Sequence, residues 1–200
     1  MTFNIYQVAE LVSTILAIFA VCLDTRQQLL ARPISLLSIA TELLVYVHAG
    51  LYAKSLLSII FLILNSYGWY QWKYGGKNNS ALPVTKVGAQ GIIKLMVWGM
   101  ISGLVLGYIL HTKTNAAFAY WDAMNALFWL IANTLLVKKK LESWIFWLML
   151  DVSFAILCYY KGLYIFSIRF GLYIFLAVYG YRSWYQSYLN TQAQSATTGP

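Results

Sequence analysis

Seven runs of apolar residues alternate with short polar breaks along the chain, at approximately 6–23, 33–50, 55–73, 91–110, 120–137, 143–160 and 164–181. The breaks read "DTRQQLLARP", "KYGGKNNSALPVTK", "HTKTN", "KKKLE" and "KG", and they hold most of the turn-forming and charged residues. A run of about 20 apolar residues is the length a helix needs to cross a bilayer. The two-residue alternation of a membrane β-barrel strand is absent. The pattern therefore predicts an all-α integral membrane protein of seven transmembrane helices. The first run has no charged leader and no small-residue cleavage site, so it reads as a retained helix. Residues 186–200, "QSYLNTQAQSATTGP", read as a polar, mobile C-terminal tail behind a single transmembrane domain at 1–185.

Composition agrees with this pattern. Of 200 residues, 60% are hydrophobic and 10% charged, with a mean hydropathy of +0.64. Soluble domains carry about 25% charged residues. With seven crossings and the N-terminus outside, the inner loops and tail hold Arg26, Arg32, Lys73, Lys77, Lys86, Lys94, Lys138, Lys139, Lys140 and Arg182. The outer loops hold Lys54, Lys113 and Lys161. Basic residues favour the cytoplasmic side, so the prediction is N-out, C-in. The same bias explains the net charge of +8 through anionic membrane lipids, with no nucleic acid required. Cys22 and Cys158 fall at opposite faces, and His48 and His111 are far apart in sequence, so no metal or nucleophile–base cluster is legible. The reading is a non-enzyme without metal or cofactor.

The sequence also repeats itself. Shifted by 112 residues, "GLYAKSLLSIIFLILNSYGWYQW" (50–72) lies without a gap on "GLYIFSIRFGLYIFLAVYGYRSW" (162–184). Identical positions include Gly50/Gly162, Tyr67/Tyr179, Gly68/Gly180 and Trp72/Trp184. Two copies of a three-helix unit are predicted, repeat one at about 6–73 and repeat two at about 120–185. An odd number of helices would invert the second copy, and a linker helix at about 91–110 restores a parallel orientation. Its Gly99–Gly103–Gly107 spacing suits close helix packing. Parallel repeats with a substrate near the midplane are a known transporter plan.

Candidate chemistry sits inside the apolar runs. On the third helix Asn65, Trp69 and Trp72 share a stripe; on the fifth, Asp122, Asn125, Trp129 and Asn133 do; on the sixth, Trp144, Trp147 and Asp151 share a face. An amide at membrane depth must be paired, so Asn65 either joins helices or lines a polar cavity. Trp72 and Trp184 read first as an aromatic belt at the headgroups, and Trp144 as an interfacial anchor. Glu42, Asp151 and Arg169 are intramembrane charges and so functional candidates, with an Asp151–Arg169 ion pair as the alternative. Indole rings stack on flat rings and attract cations, while amides read amide or hydroxyl groups. A flat, cationic, water-soluble metabolite fits this set.

The stretches "NSYGWYQWKYGG", "KKKLESWIFWLMLDV" and "YYKGLY" make the chain resemble the PnuC family of bacterial vitamin transporters. Members show Y-G-W-x-x-W closing the third core helix and [RK]-K-x-[IL]-E-x-W-x-x-W-x-x-x-D opening the sixth. The resemblance implies a three-plus-one-plus-three, SWEET-like arrangement in the bacterial inner membrane. It also implies facilitated diffusion of a vitamin precursor, most often nicotinamide riboside, trapped inside by phosphorylation; relatives carry thiamine or riboflavin. Trp69, Asn65, Trp147 and Asn133 fall on the family's binding positions. Many nicotinamide riboside members carry Gln where "IANTLL" has Asn133, and thiamine is also a flat cation, so both vitamins stay open. A SWEET-like sugar carrier is the rival binding chemistry. The partners expected are a small-molecule vitamin and membrane lipids, with a homo-oligomer one arrangement open to the chain.

Overall fold

The computed structural model describes residues 5–114, 118–162 and 164–197. Among these, the chain forms seven α-helices: α1 (Ile5–Thr25), α2 (Ala31–His48), α3 (Tyr52–Tyr74), α4 (Ala89–Lys113), α5 (Ala119–Val137), α6 (Ser143–Tyr160) and α7 (Tyr164–Thr197). Each covers one apolar run. By length and composition alone, the Val8–Thr25 part of α1, α4 and α6 are apolar enough to cross a membrane. Several of the other helices carry buried polar side chains, Arg32 on α2, Asn65 on α3, and Asn125 and Asn133 on α5.

The backbone obeys the 112-residue repeat. Shifting α2 by that interval reproduces the bounds of α6, Thr25 falls on Val137 at the ends of α1 and α5, and Tyr52 falls on Tyr164 at the starts of α3 and α7. Left-handed residues recur in the same register, Gln27 (φ 56°) with Lys139 (φ 46°), and Gly50 (φ 69°) with Gly162 (φ 71°). Gly50 closes α2: its N–H and that of Leu51 donate back to Val47 O (3.1 Å) and Tyr46 O (2.8 Å). That closure needs positive φ, which glycine adopts without a Cβ penalty.

Two compact units divide the chain. One comprises residues up to Pro83 and those from Arg182 onward; the other runs from Val84 to Tyr181. In the first, α1 packs on α2 and α2 on α3, with Ser38 Oγ donating to Ser13 O at 2.8 Å. In the second, α4 packs on α5 and α5 on α6. The glycine stripe of α4 faces α5 as its spacing predicts. A Cβ at Gly103 would stand 2.7 Å from Met124 Sδ, and one at Gly107 2.9 Å from Tyr120 Cα. Ala132, Leu135, Phe146 and Leu150 form the core of this unit.

The stretch read as a polar tail is helical in its described part, since α7 continues to Thr197. Residues 186–197 contain no Gly or Pro to stop the helix, and Trp184, just before them, is fully buried.

The "KKKLE" loop is an anchor for the connector before α4. Thr85 N donates to Lys139 O (3.1 Å) and Leu141 N to Thr85 O (2.9 Å). The buried Glu142 carboxylate then accepts from Val87 N (3.0 Å) and Gly88 N (3.4 Å), the donors that open α4. A carboxylate there satisfies amides that no helical turn can reach and complements the helix dipole. Removing it leaves those donors unpaired, at about 1–3 kcal/mol. Glu142→Ala should therefore lower the melting temperature of the purified protein in detergent, and Glu142→Gln, which keeps an oxygen acceptor, should lower it less. Equal melting of all three proteins would remove the anchor.

Candidate functional site

The nine expected binding residues divide into committed and available side chains. In the first unit, Asn65 is buried and both ends of its amide are used. Its Oδ1 accepts from Arg32 Nη1 at 3.0 Å, and its Nδ2 donates to Phe61 O, one turn back, at 2.9 Å. Of the two readings open for this amide, the geometry forms the helix-joining one, α2 to α3.

Trp72 is 2% exposed and Trp184 fully buried, which corrects the aromatic-belt reading. A belt ring sits at the headgroups, whereas these two meet edge to face at 5.8 Å between centroids. The Arg32 guanidinium lies 4.4 Å from the centre of a Trp72 ring. Trp184 Nε1 donates to Asp24 O at 2.8 Å. Only Trp69 of the three stripe residues stays open, at 43% exposed.

Arg32 is the residue that sequence reasoning misplaces. Counted as a loop cation facing anionic lipid, it is instead wholly buried and forms an ion pair with Asp24. The signal lies in the repeat register. Positions 24 and 32 carry opposite charges, while their counterparts 136 and 144 are Leu and Trp.

In the second unit, α5 and α6 carry the remaining candidates. Asn125 is buried and donates to Trp121 O at 2.7 Å. Trp129 stacks on Phe154 of α6 (5.2 Å between centroids, planes 10° apart), and Phe154 stacks in turn on Phe170 of α7 (5.2 Å). Trp144, expected as an interfacial anchor, is buried against Gly180; a Cβ there would stand 2.7 Å from the indole. Gly180, the counterpart of Gly68 in the repeat register, thus makes room for this ring.

Asn133 and Trp147 behave differently. Asn133 Nδ2 and Trp147 Nε1 are buried donors with no hydrogen-bond partner among the described residues. Both Trp147 and Trp129 pack at the edge of the unit's core. One turn along α6 from Trp147, Asp151 is buried too. No ion pair joins Asp151 to Arg169 among the described residues, and the Arg169 guanidinium lies over Phe170 at 5.3 Å. Buried donors are nearly always paired, and an unmade bond costs about 1–3 kcal/mol. An unpaired donor or a buried carboxylate on α5 and α6 is chemically suited to a polar partner carrying acceptors or positive charge.

A cavity of about 200 Å³ also opens along α5 and α6, lined by Trp121, Met124, Asn125, Phe128, Phe146 and Met149, with Leu150 and Ser153. Of the nine candidates only Asn125 reaches it, and its walls are apolar. Small-molecule sites usually span about 300–1,000 Å³, so this groove is not assigned to the polar guest. No cluster of potential metal ligands occurs among the described residues.

Seven helices, three of them apolar and long enough to cross a bilayer, with amides, tryptophans and a carboxylate buried among them, fit a multi-pass membrane protein. The family model described as Nicotinamide mononucleotide transporter matches residues 7–186, and the chain belongs to that family. The Nicotinamide riboside transporter PnuC of Escherichia coli (strain K12) is 23% identical over 203 residues, covering 89% of this chain and 85% of that protein. The protein of the same description from Shigella flexneri matches at the same identity and coverage. A solved structure described as the vitamin B3 transporter PnuC shares the fold, with a TM-score of 0.70 over 91% of this chain and 82% of that one, at 16% identity. The relatives are named as transporters, not enzymes. The family is one of multi-pass proteins of the bacterial inner membrane.

Proposed function

We propose that this protein is a facilitator that lets nicotinamide riboside equilibrate across the inner membrane, with intracellular phosphorylation trapping it. The observation that carries the reading is the pair of buried, unpartnered donors, Asn133 Nδ2 and Trp147 Nε1, on two of the positions implied by the family resemblance. Donors of this kind suit the carboxamide oxygen or ribose hydroxyls of the guest. The open ring of Trp69 and the indoles of Trp129 and Trp147 suit its flat, positively charged ring, and Asp151 suits the charge itself. Asn125, which lines the apolar groove and donates to Trp121 O, is assigned to packing with Asn65, Trp72 and Trp144. A second reading, thiamine, is favoured by one feature: the short amide Asn133 where many nicotinamide riboside carriers have Gln.

The two repeats form the halves of a three-plus-one-plus-three carrier with α4 as linker and seven crossings. Its N-terminus lies outside and its C-terminus inside, supported by the bias of basic residues. A reporter fused to the C-terminus should be active only in the cytoplasm; activity on the outer side would invert the topology. Glu42 and Asp151 do not pair in the repeat register, since Phe154 stands opposite Glu42. That asymmetry argues against a carboxylate relay for protons.

In liposomes without an internal kinase, labelled nicotinamide riboside should enter until the two sides match, with or without a proton or sodium gradient. Excess thiamine, riboflavin and sugar as competitors rank the alternatives. Trp147→Ala should weaken binding roughly five- to thirtyfold, the loss expected for one cation–π contact of about 1–2 kcal/mol. Accumulation above the outer concentration would overturn the facilitator. Stronger competition by thiamine than by nicotinamide riboside itself would change the vitamin.

A further inference from the structure

The buried cluster around Arg32 does a job that the second repeat does without charge. Asp24 and Arg32 form an ion pair, Asn65 accepts from Arg32, and the guanidinium covers Trp72. In the repeat register these four positions become Leu136, Trp144, Ala177 and Trp184. The helix ends and the left-handed turn residue between them are the same in both copies. The ion pair is therefore not what makes the turn or starts the helix.

Nor is it an efficient way to fill the space. Taking both charges out of water carries a desolvation cost that their attraction offsets only when every remaining donor is satisfied. Arg32 Nε is buried and has no partner among the described residues. Replacing such a pair by packed apolar residues is often neutral or stabilising. Separating such a pair with water returning to both charges costs less than separating one whose every donor is satisfied, because part of the desolvation cost is recovered.

We propose that the Asp24–Arg32 pair is a releasable latch that must open for transport. Closed, it joins the end of α1 to the start of α2, and through Asn65 and Trp72 to α3. Trp184 bonds to the backbone of Asp24 (2.8 Å). It lies on α7, a continuous helix whose residues up to Tyr181 belong with the other unit. A shift of α7 along its axis pulls on the carbonyl of the residue that holds Arg32. Opening hydrates both charges, and closing expels the water. The inference rests on the transport reading, but its own readout is the opening of this cluster.

The test compares full-length wild type with a variant carrying the second repeat's residues, Asp24→Leu, Arg32→Trp and Asn65→Ala together. Three quantities are measured: melting temperature, exchange of nicotinamide riboside across liposomes, and hydrogen–deuterium exchange of residues 22–32. The expected variant melts no lower than wild type, exchanges substrate at least tenfold more slowly, and protects residues 22–32 at least tenfold more. If that variant does not fold, Asp24→Asn serves instead, because it keeps the shape and removes the charge. It should protect residues 22–32 less than wild type does. Protection equal to wild type, in whichever variant folds, overturns the latch. Wild type that moves no nicotinamide riboside overturns the transport reading instead, and the protection data still decide the latch.

Discussion

A polar group buried in an apolar chain must find a partner, and the Arg32 guanidinium carries that constraint through the whole first unit. Wholly buried on α2, it takes its counter-ion from α1 and an amide oxygen from α3, and it lies on the face of Trp72. One side chain thereby fixes the relation of three helices. Its partners lose their freedom in return. Asn65 has both amide atoms engaged by protein partners, and Trp72 has one ring face covered. The polar residues around Arg32 are spent on the first unit's own structure, and Trp69 is the member of the Asn65–Trp69–Trp72 stripe that stays exposed.

The second unit solves the equivalent problem with apolar contacts, Leu136 and Trp144 in place of the ion pair, and glycine at 180 to admit the indole. The amide of Asn133 and the indole N–H of Trp147 are left without protein partners among the described residues. The two copies share a backbone and differ in where their polar chemistry is directed. In the first the buried amide and charges hold one another, and in the second the Asn133 and Trp147 donors are left over.

Much of this is legible in the order of the residues alone. Seven apolar runs form seven helices, because hydrophobic length is set by composition. The 112-residue register carries over to helix bounds and left-handed turns, because both copies need the same closures. Burial is less legible. Arg32 stands in a polar stretch and reads as exposed; only its pairing across the turn with Asp24 takes it inside. Trp72 and Trp184 look like belt residues by type and depth, and their burial depends on contacts distant in sequence. Glu142 reads as part of a motif, while its task, closing the start of α4, depends on a loop more than fifty residues earlier. Residues 186–197 read as a tail and fold as the end of α7, since polarity alone does not stop a helix.

The division of labour between two asparagines tests this account most directly. Asn65→Ala and Asn133→Ala, each purified and folded, are compared with wild type by melting temperature and by calorimetric titration with nicotinamide riboside. Losing the partner of a buried charge should destabilise Asn65→Ala by about 1–3 kcal/mol while its affinity stays within twofold of wild type. Asn133→Ala should melt at or above wild type and bind at least fivefold more weakly. The reverse result, affinity lost at Asn65 and kept at Asn133, would contradict the assignment of structure to the first repeat and binding to the second.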